Sequence, residues 1–142
     1  GVFFKQKIEN KPFTIVGDGE QKRDFIYVTD VANAFYKVSN SSNFGEIYNL
    51  GAGNPQTINH LVELISDNKN SKVFLPKRPG EPNITWANIN KISNRFKWTP
   101  KISFKSGVKN MIKNIDNWKD APLWDEKSIK SATKVWFKYM KN

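Results

Sequence analysis

The feature that most constrains the fold is the order of the apolar segments, because short strand-like runs fill the first half of the chain and helical stripes the second. Apolar runs of this length, bounded by glycine, proline or polar turns, are typical of short strands. The predicted strands cover residues 13–16, 24–28, 46–50 and 71–75. Four strands are few for a free-standing doubly wound sheet, so we expect some to complete a sheet from another part of a longer protein.

Apolar residues at helical spacing predict about five helices between and after these strands, and hence a mixed α/β fold. Thr29, Thr57 and Asp125 stand where N-capping residues are expected. A first helix is predicted to end by residue 10, and further helices are predicted at residues 30–38, 58–65, 89–96 and 104–118. A last helix follows Asp125, and its apolar face is Ile129, Ala132, Trp136 and Tyr139 or Met140.

Composition excludes several kinds of site. The 142 residues include no cysteine and a single histidine, so disulfides and thiol catalysis are excluded and a zinc site is not expected. That histidine, His60, lies inside an apolar helical pattern, which favours a structural role. No apolar run approaches the ~20 residues of a membrane span, and no signal peptide is visible, so we expect a cytoplasmic protein. The chain begins without Met, which suggests a piece of a longer protein.

The net charge of +10 is concentrated in residues 72–142 and allows two interpretations. A basic half with five tryptophans could mark a nucleic-acid-binding domain. It could also be a solvated lysine face, and we favour this reading because Lys105, Lys109 and Lys113 recur every four residues, opposite an apolar stripe. We therefore do not expect nucleic acid as a partner and keep a nucleic-acid-binding domain as an alternative.

The stretch "NLGAGNPQT" looks like a dinucleotide-binding loop between a strand and a helix. Gly51 and Gly53 match the first two glycines of that motif, but the third position holds Gln56. The motif also needs an acidic residue after the next strand, where this chain has Lys77 and Arg78. We therefore interpret the glycines as serving a turn, and no NAD site is expected here.

Arginine is scarce, since only three of 23 basic residues are arginines, and two of them stand at loop–strand junctions. The planar guanidinium grips phosphate oxygens in a bidentate manner, so Arg23 and Arg78 could clamp a diphosphate. The alternative is ordinary ion pairing, of Arg23 with Asp24 or Glu20 and of Arg78 with Glu81. From the residues alone, both readings stay open.

Several motifs occur in an order that resembles a known family. "PFTIVGDGEQKRDFIYVTDVANAF", "IYNLGAGN", "KRPGEP" and "FKWTPKISFKSGVKNMI" follow one another. Together they resemble the C-terminal, substrate-binding part of extended short-chain dehydrogenases that act on nucleotide sugars, of the UDP-glucose 4-epimerase type, with dTDP-glucose dehydratases as cousins. The helical tail, 116–142, is similar to that of some lipopolysaccharide-type epimerases and dehydratases, which suggests polysaccharide biosynthesis.

The resemblance assigns substrate-binding roles to five residues. It implies that Arg23 and Arg78 contact the phosphates of a nucleotide sugar, and that Asn49 reaches the same part through its amide. Glu81 matches an acidic position that holds the ribose hydroxyls. Val16 stands where the family often has an aromatic residue stacked on the base, so the identity of the base and the affinity for it are open.

The resemblance also implies what the intact enzyme does. NAD would be bound by an N-terminal Rossmann domain absent from this chain, the enzyme would be a homodimer, and a UDP-sugar would be oxidised at C4 and epimerised. A dTDP- or other NDP-sugar 4,6-dehydratase and a non-catalytic binding module remain alternatives. The chain has no Tyr-x-x-x-Lys sequence, so we expect no catalytic residue and no cofactor in this chain alone.

Overall fold

The structure is a computed structural model that describes residues 1–66 and 70–140. Its described part is mixed α/β, which confirms the predicted fold class. The helices are α1 (Val2–Ile8), α2 (Val28–Ser39), α3 (Ile58–Ile65), α4 (Asn90–Phe96), α5 (Phe104–Lys113), a 3₁₀ helix (Ile115–Trp118) and α6 (Glu126–Tyr139). The strands are β1 (Phe13–Val16), β2 (Lys22–Arg23), β3 (Gln56–Thr57) and β4 (Lys72–Leu75).

Two small strand pairs organise the loops that matter for function. Strands β1 and β4 pair in parallel with Val16 opposite Leu75, so both strands end at the same edge. Strands β2 and β3 pair antiparallel, with Arg23 opposite Gln56. The loops after β1 and β4 therefore leave from one edge of the sheet, and a bridge between Lys22 and Ile84 ties the second of them to β2.

The larger apolar core lies between α1, β1, α3 and α5. Its buried members are Phe4, Phe13, Ile15, Val62, Ile65 and Val108. Burying an aliphatic or aromatic side chain of this size contributes about 1.5–3 kcal/mol. The apolar stripe predicted along 104–118 packs against this core, but α5 ends at Lys113 and a separate 3₁₀ helix carries the last part of the stripe.

The predicted strand at 24–28 is wrong. Residues 24–27 form no strand, and α2 begins at Val28 with Tyr27 as its N-cap residue, so Thr29 lies within the helix and does not cap it. The apolar residues of this segment make tertiary contacts, because the ring of Phe25 stacks on that of Phe104 at a centroid distance of 5.2 Å.

The predicted strand at 46–50 is also wrong, for a similar reason. Tyr48 and Leu50 pack against a second, smaller core formed by Ala34, Ile92 and Trp98. Apolar residues at alternate positions therefore face this core without any strand partner. The alternation predicted burial correctly, but the backbone there is irregular.

Two predicted caps are confirmed. The Thr57 side chain accepts a hydrogen bond from the His60 backbone N–H at the start of α3. Asp125 forms a capping box with Ser128 at the start of α6. These caps satisfy backbone N–H groups that the first helical turn leaves free. Within the described residues, none of the helices is long and apolar enough to cross a membrane.

Candidate functional site

A cleft of about 470 Å³ lies between the strand ends and α6, and we call it the Arg78 cleft. Four of the five substrate-binding residues expected from the sequence line it: Val16, Arg23, Arg78 and Glu81. They come from the end of β1, from β2 and from the loop after β4. The strand pairing described above brings these distant parts of the sequence to one place.

Arg23 is held on this wall by three interactions. Its Nη2 lies 2.9 Å from Oε1 of Glu81, and its Nη1 donates to the backbone carbonyls of Lys22 and Pro82 at 2.8 and 3.0 Å. The sequence-based alternative paired Arg23 with Asp24 or Glu20, and both pairings are wrong. Glu81, which that alternative assigned to Arg78, is the actual partner of Arg23.

Two polar groups of the Arg78 cleft have no protein partner among the described residues. The Oε2 atom of Glu81 is buried and accepts no hydrogen bond. The half-buried guanidinium of Arg78 takes part in no ion pair or hydrogen bond that the described residues provide. A buried acceptor without a donor costs about 1–3 kcal/mol, so this wall is suited to a ligand that brings both a hydroxyl donor and an anion.

Asn49 is not part of this arrangement. It is exposed, it lies in the irregular segment before the glycine loop, and it is not among the residues that line the Arg78 cleft. The sequence placed Asn49 at a strand end facing the phosphates, and that strand is absent from the described residues. Its role as a phosphate contact stays a prediction.

A second cavity of about 360 Å³ adjoins the first and shares Val16, Gln21 and Glu81 with it. Gln21 connects the two by donating from Nε2 to the backbone carbonyl of Val16 at 2.7 Å. Lys77, in the lining of the second cavity, donates to Oδ1 of Asn83 at 2.7 Å. A ligand longer than one ring could therefore extend from the Arg78 cleft past Val16.

The glycine loop is organised around the carboxylate of Asp24. That carboxylate accepts backbone hydrogen bonds from Ala52 at 3.0 Å, Gly53 at 3.2 Å, Asn54 at 3.4 Å and Ala87 at 3.2 Å. In a dinucleotide fold, N–H groups of this kind face a pyrophosphate. Here they already bind an anion of the chain itself, so the loop does not fit NAD.

The two glycines of this loop serve different purposes. A Cβ atom on Gly51 would lie 2.2 Å from Oδ2 of Asp24 and 2.6 Å from Cβ of Ala87, so Gly51 permits close packing. Gly53 adopts φ +71°, in the left-handed region that favours glycine. Gly53 therefore serves the turn as predicted, whereas Gly51 is needed for close packing, which the sequence did not indicate. The sequence did not indicate this role of Asp24 either, because the residues that donate to it lie up to 63 residues away.

Helix α6 forms part of the wall of the Arg78 cleft, which the sequence did not indicate. Ile129, Ala132, Thr133 and Trp136 line it, and Trp124 lines it just before the helix. The sequence predicted an apolar face on this helix that includes Ile129, Ala132 and Trp136, and that face is the one in the cleft. Trp136 donates from Nε1 to the backbone carbonyl of Pro79 at 2.8 Å, next to Arg78.

The cleft thus combines two guanidinium groups, one carboxylate with a free oxygen, and aromatic surface. Such a set can bind an anion and orient the hydroxyl-bearing ring attached to it. His60 lies outside this cleft, where its Nδ1 is 3.0 Å from Oε1 of Gln56 and its ring packs edge-on against Phe104. This environment fits the structural role predicted for His60.

Comparison with protein families gives a match over residues 3–111 to the family model described as GDP-mannose 4,6 dehydratase. A UDP-glucuronate 4-epimerase of Thermodesulfobacterium geofontis is 35% identical over 133 residues, covering 90% of this chain and 39% of the relative. A dTDP-glucose 4,6-dehydratase of Shigella flexneri is 32% identical over 137 residues, covering 89% of this chain and 37% of the relative. The chain spans about two fifths of the length of these relatives.

Solved structures agree with the sequence relatives. A UDP-glucuronic acid 4-epimerase of Bacillus cereus, crystallised with UDP-glucuronic acid and NAD, matches with a TM-score of 0.74 at 32% identity. The match covers 81% of this chain and 38% of the epimerase chain. The fold of the present chain is therefore that of one portion of such an enzyme.

Proposed function

The chain belongs to the GDP-mannose 4,6-dehydratase family of NAD-dependent nucleotide-sugar epimerases and dehydratases, within the extended short-chain dehydrogenases, and from that premise we propose that it binds and positions a nucleoside-diphosphate sugar in the Arg78 cleft. Its role in this proposal is to hold the unreactive part of the substrate, so that the sugar is presented to a catalytic portion outside this chain.

The observation that carries the proposal is the convergence of Arg23, Arg78 and Glu81 on one cleft. Arg78 is a half-buried cation without a partner among the residues that the structure describes, and phosphate oxygens are the natural acceptors for its planar fork. Arg23 is already oriented by Glu81 and by two carbonyls. A diphosphate between the two guanidinium groups would receive charge-assisted hydrogen bonds from a preorganised wall.

Glu81 has a separate part in the proposal. One carboxylate oxygen binds Arg23, and the other is buried and free to accept. We assign this free oxygen to a ribose hydroxyl, because a hydroxyl donor would remove the cost of an unsatisfied buried acceptor. Asn49 is kept in the proposal as a contact to the phosphate region, made when the substrate and the rest of the protein are present.

A UDP-sugar is the proposed substrate, with epimerisation after oxidation at C4 as the reaction of the whole protein. The UDP-glucuronate epimerases among the similar proteins support this choice. The dTDP-glucose dehydratase relatives support the alternative, a dTDP-sugar and a dehydratase reaction. Val16 offers aliphatic surface to either base, so it does not decide between the two.

Oxidation and reduction at C4 belong, in this proposal, to an N-terminal NAD-binding portion of a longer, dimeric protein. NAD supplies the hydride acceptor there, and the residues of the present chain bind and orient the substrate. Exposed Phe35, Tyr36, Phe44 and Ile47 give this chain apolar surface that such a portion could cover.

Titration calorimetry of the chain with UDP, UDP-glucuronic acid and dTDP-glucose tests the proposal. We expect UDP compounds to bind and Arg78→Ala to weaken their affinity by about tenfold or more, since one charge-assisted hydrogen bond contributes about 1.5–3 kcal/mol. Arg95→Ala is the matched control, because Arg95 is exposed and bonded to Asn43 outside the cleft. Equal UDP affinity of the wild-type chain and the Arg78 variant would contradict the proposal.

A further inference from the structure

Helix α6 and the residues just before it bring aromatic surface into the same cleft as the charged residues. Trp124 and Trp136 line the cleft together with Arg23, Arg78 and Glu81. The match to the family model ends at residue 111, before α6 begins. The aromatic part of the cleft therefore lies beyond the residues that the family model matches.

The aromatic rings of this wall are not buried in an apolar core. No residue of α6 is buried, and Trp136 and Trp124 remain 43% and 37% exposed. Large aromatic rings are usually buried when their only role is packing. Rings that stay half exposed on the inner side of a cleft are available to a ligand.

Trp136 is also held in a defined orientation. The only polar atom of its indole, Nε1, donates to the Pro79 carbonyl at 2.8 Å, so the ring needs no further hydrogen bond. The start of this wall is anchored as well, because buried Gln6 donates from Nε2 to the Trp124 carbonyl at 2.5 Å. A fixed ring loses little conformational entropy when a ligand packs on it.

The helix does not fill the cleft. A volume of about 470 Å³ remains with α6 in place, within the range of ligand pockets, about 300–1,000 Å³. The lysines of α6, at 127, 130, 134 and 138, do not line the cleft, so the wall that α6 offers is apolar. The lining of the space thus combines cationic groups from the strand ends with aromatic surface from Trp124 and Trp136.

We propose that α6 is a nucleobase-binding wall in which Trp136 packs against the planar base of the nucleoside diphosphate whose phosphates Arg78 binds. The proposal rests on the function proposed above and deepens it, because it assigns the base to a helix outside the family match. The chemistry is complementary: a nucleoside diphosphate has an anionic end for the arginines and a flat π-system for the indole.

Calorimetry of the whole 142-residue chain with two probes separates the base from the phosphates. UDP carries both, and inorganic pyrophosphate carries only the anion. We expect Trp136→Ala to weaken UDP affinity by about tenfold and to leave pyrophosphate affinity unchanged. Trp136→Phe, which keeps an aromatic ring, should recover most of the UDP affinity. Val135→Ala, in an exposed neighbour that does not line the cleft, should bind both probes like the wild type.

Three other outcomes would contradict one or both proposals. Equal or tighter UDP binding by Trp136→Ala overturns the base-binding wall and leaves the proposed function intact. Equal losses for UDP and pyrophosphate also overturn it, because Trp136 would then act on the Arg78 loop. No UDP binding by the wild-type chain overturns both proposals together. The thermal unfolding midpoint of each variant shows whether it is folded. If Trp136→Ala does not fold, the affinities for UDP and pyrophosphate are compared between Trp136→Phe and the wild type.

Discussion

The carboxylate of Asp24 accepts a hydrogen bond from the backbone N–H of Ala52 at 3.0 Å, in the glycine loop that resembles a dinucleotide-binding turn. Further N–H groups of that loop and of Ala87 point at the same carboxylate. These N–H groups therefore bind an internal anion, the Asp24 carboxylate. The loop ties β2 to the second half of the chain, and its stability should depend on this one side chain.

Asp24→Asn should lower the free energy of unfolding by about 2 kcal/mol, because an amide keeps one acceptor oxygen and turns its NH₂ group toward backbone donors. Urea denaturation of the two chains measures this loss. Asp120→Asn serves as the control, since Asp120 is exposed and has no side-chain hydrogen bond among the described residues. Similar unfolding midpoints for the Asp24 and Asp120 variants would show that the loop does not need the carboxylate.

Gly51→Ala should cost about 2–3 kcal/mol of unfolding free energy, because the added Cβ would overlap Oδ2 of Asp24 and Cβ of Ala87. Gly45→Ala is a useful comparison. Gly45 has φ +73° and no neighbouring atom within 4 Å, so its substitution carries backbone strain of about 1 kcal/mol without a clash. Denaturation curves should therefore rank Gly51→Ala as the more destabilised variant, and the reverse order would contradict the close packing described here.

Glu81→Gln should reduce the preference of the chain for UDP over 2′,3′-dideoxy-UDP. In the wild type, the free Oε2 atom of Glu81 is proposed to accept from a ribose hydroxyl that the dideoxy compound lacks. A neutral amide is a weaker acceptor, so we expect the ratio of the two affinities to fall by about tenfold. Using the ratio removes any loss that arises from the broken Arg23 ion pair and affects both ligands.

The control for this experiment is Glu63→Gln, an exposed position on α3 that does not line the Arg78 cleft. It should leave the ratio unchanged. The ribose assignment fails if Glu81→Gln preserves the wild-type ratio while both variants remain folded.

Acid should weaken the N-terminal turn of α6. Hydrogen bonds from the Ser128 backbone and side chain hold the pKa of the Asp125 carboxyl below its ordinary value of 3.8. A group whose pKa is lower in the folded state stabilises that state above its unfolded pKa and loses this effect as the pH falls through the folded value. The contribution of Asp125 should thus be complete above pH 3.8 and decline below it.

Tryptophan fluorescence of the folded chain between pH 6 and pH 2.5 (roughly the range that brackets this titration) measures the effect. Trp124 lies just before α6 and Trp136 lies within it, so both report on this helix. Asp125→Ala should remove part of the acid-dependent change, and Asp116→Ala, at an exposed position in the 3₁₀ helix, should not. Glu9 and Glu46 also have lowered pKa values through their lysine partners, so the comparison is the difference between variants and wild type. Identical acid profiles for all three chains would exclude a role of the cap.

Features that depend on neighbouring residues were predictable from the sequence. Helix α3 and its Thr57 cap, α6 and its Asp125 cap, and strands β1 and β4 all lie where the residues predicted them. Capping, helical spacing and short apolar runs act over a few residues, so the sequence contains their whole cause. The strand predictions for 24–28 and 46–50 were wrong because an apolar pattern indicates burial, and packing against other elements produces the same pattern as a strand.

In the candidate site, too, the sequence predicted the residues but not their distant contacts. The sequence pointed to Arg23 and Arg78 from the scarcity of arginine and to Glu81 from a motif, and these three residues do share a cleft. The ion pairs that it offered as the alternative, Arg23 with Asp24 or Glu20 and Arg78 with Glu81, are not the ones in the structure. Glu81 pairs with Arg23, 58 residues away, and leaves Arg78 unpaired among the described residues.

By itself, the sequence determined the mixed α/β class, the capped helices, the structural use of the glycine loop and the residue types suited to a nucleotide sugar. Only the tertiary structure decided that Asp24 occupies the glycine loop and that Asn49 lies outside the cleft. It also decided that α6 closes the cleft through Trp136 and Pro79, 57 residues apart. The physical reason is the range of the interactions: hydrogen bonds and ion pairs act over about 3 Å in space, and only the folded chain brings such distant residues that close.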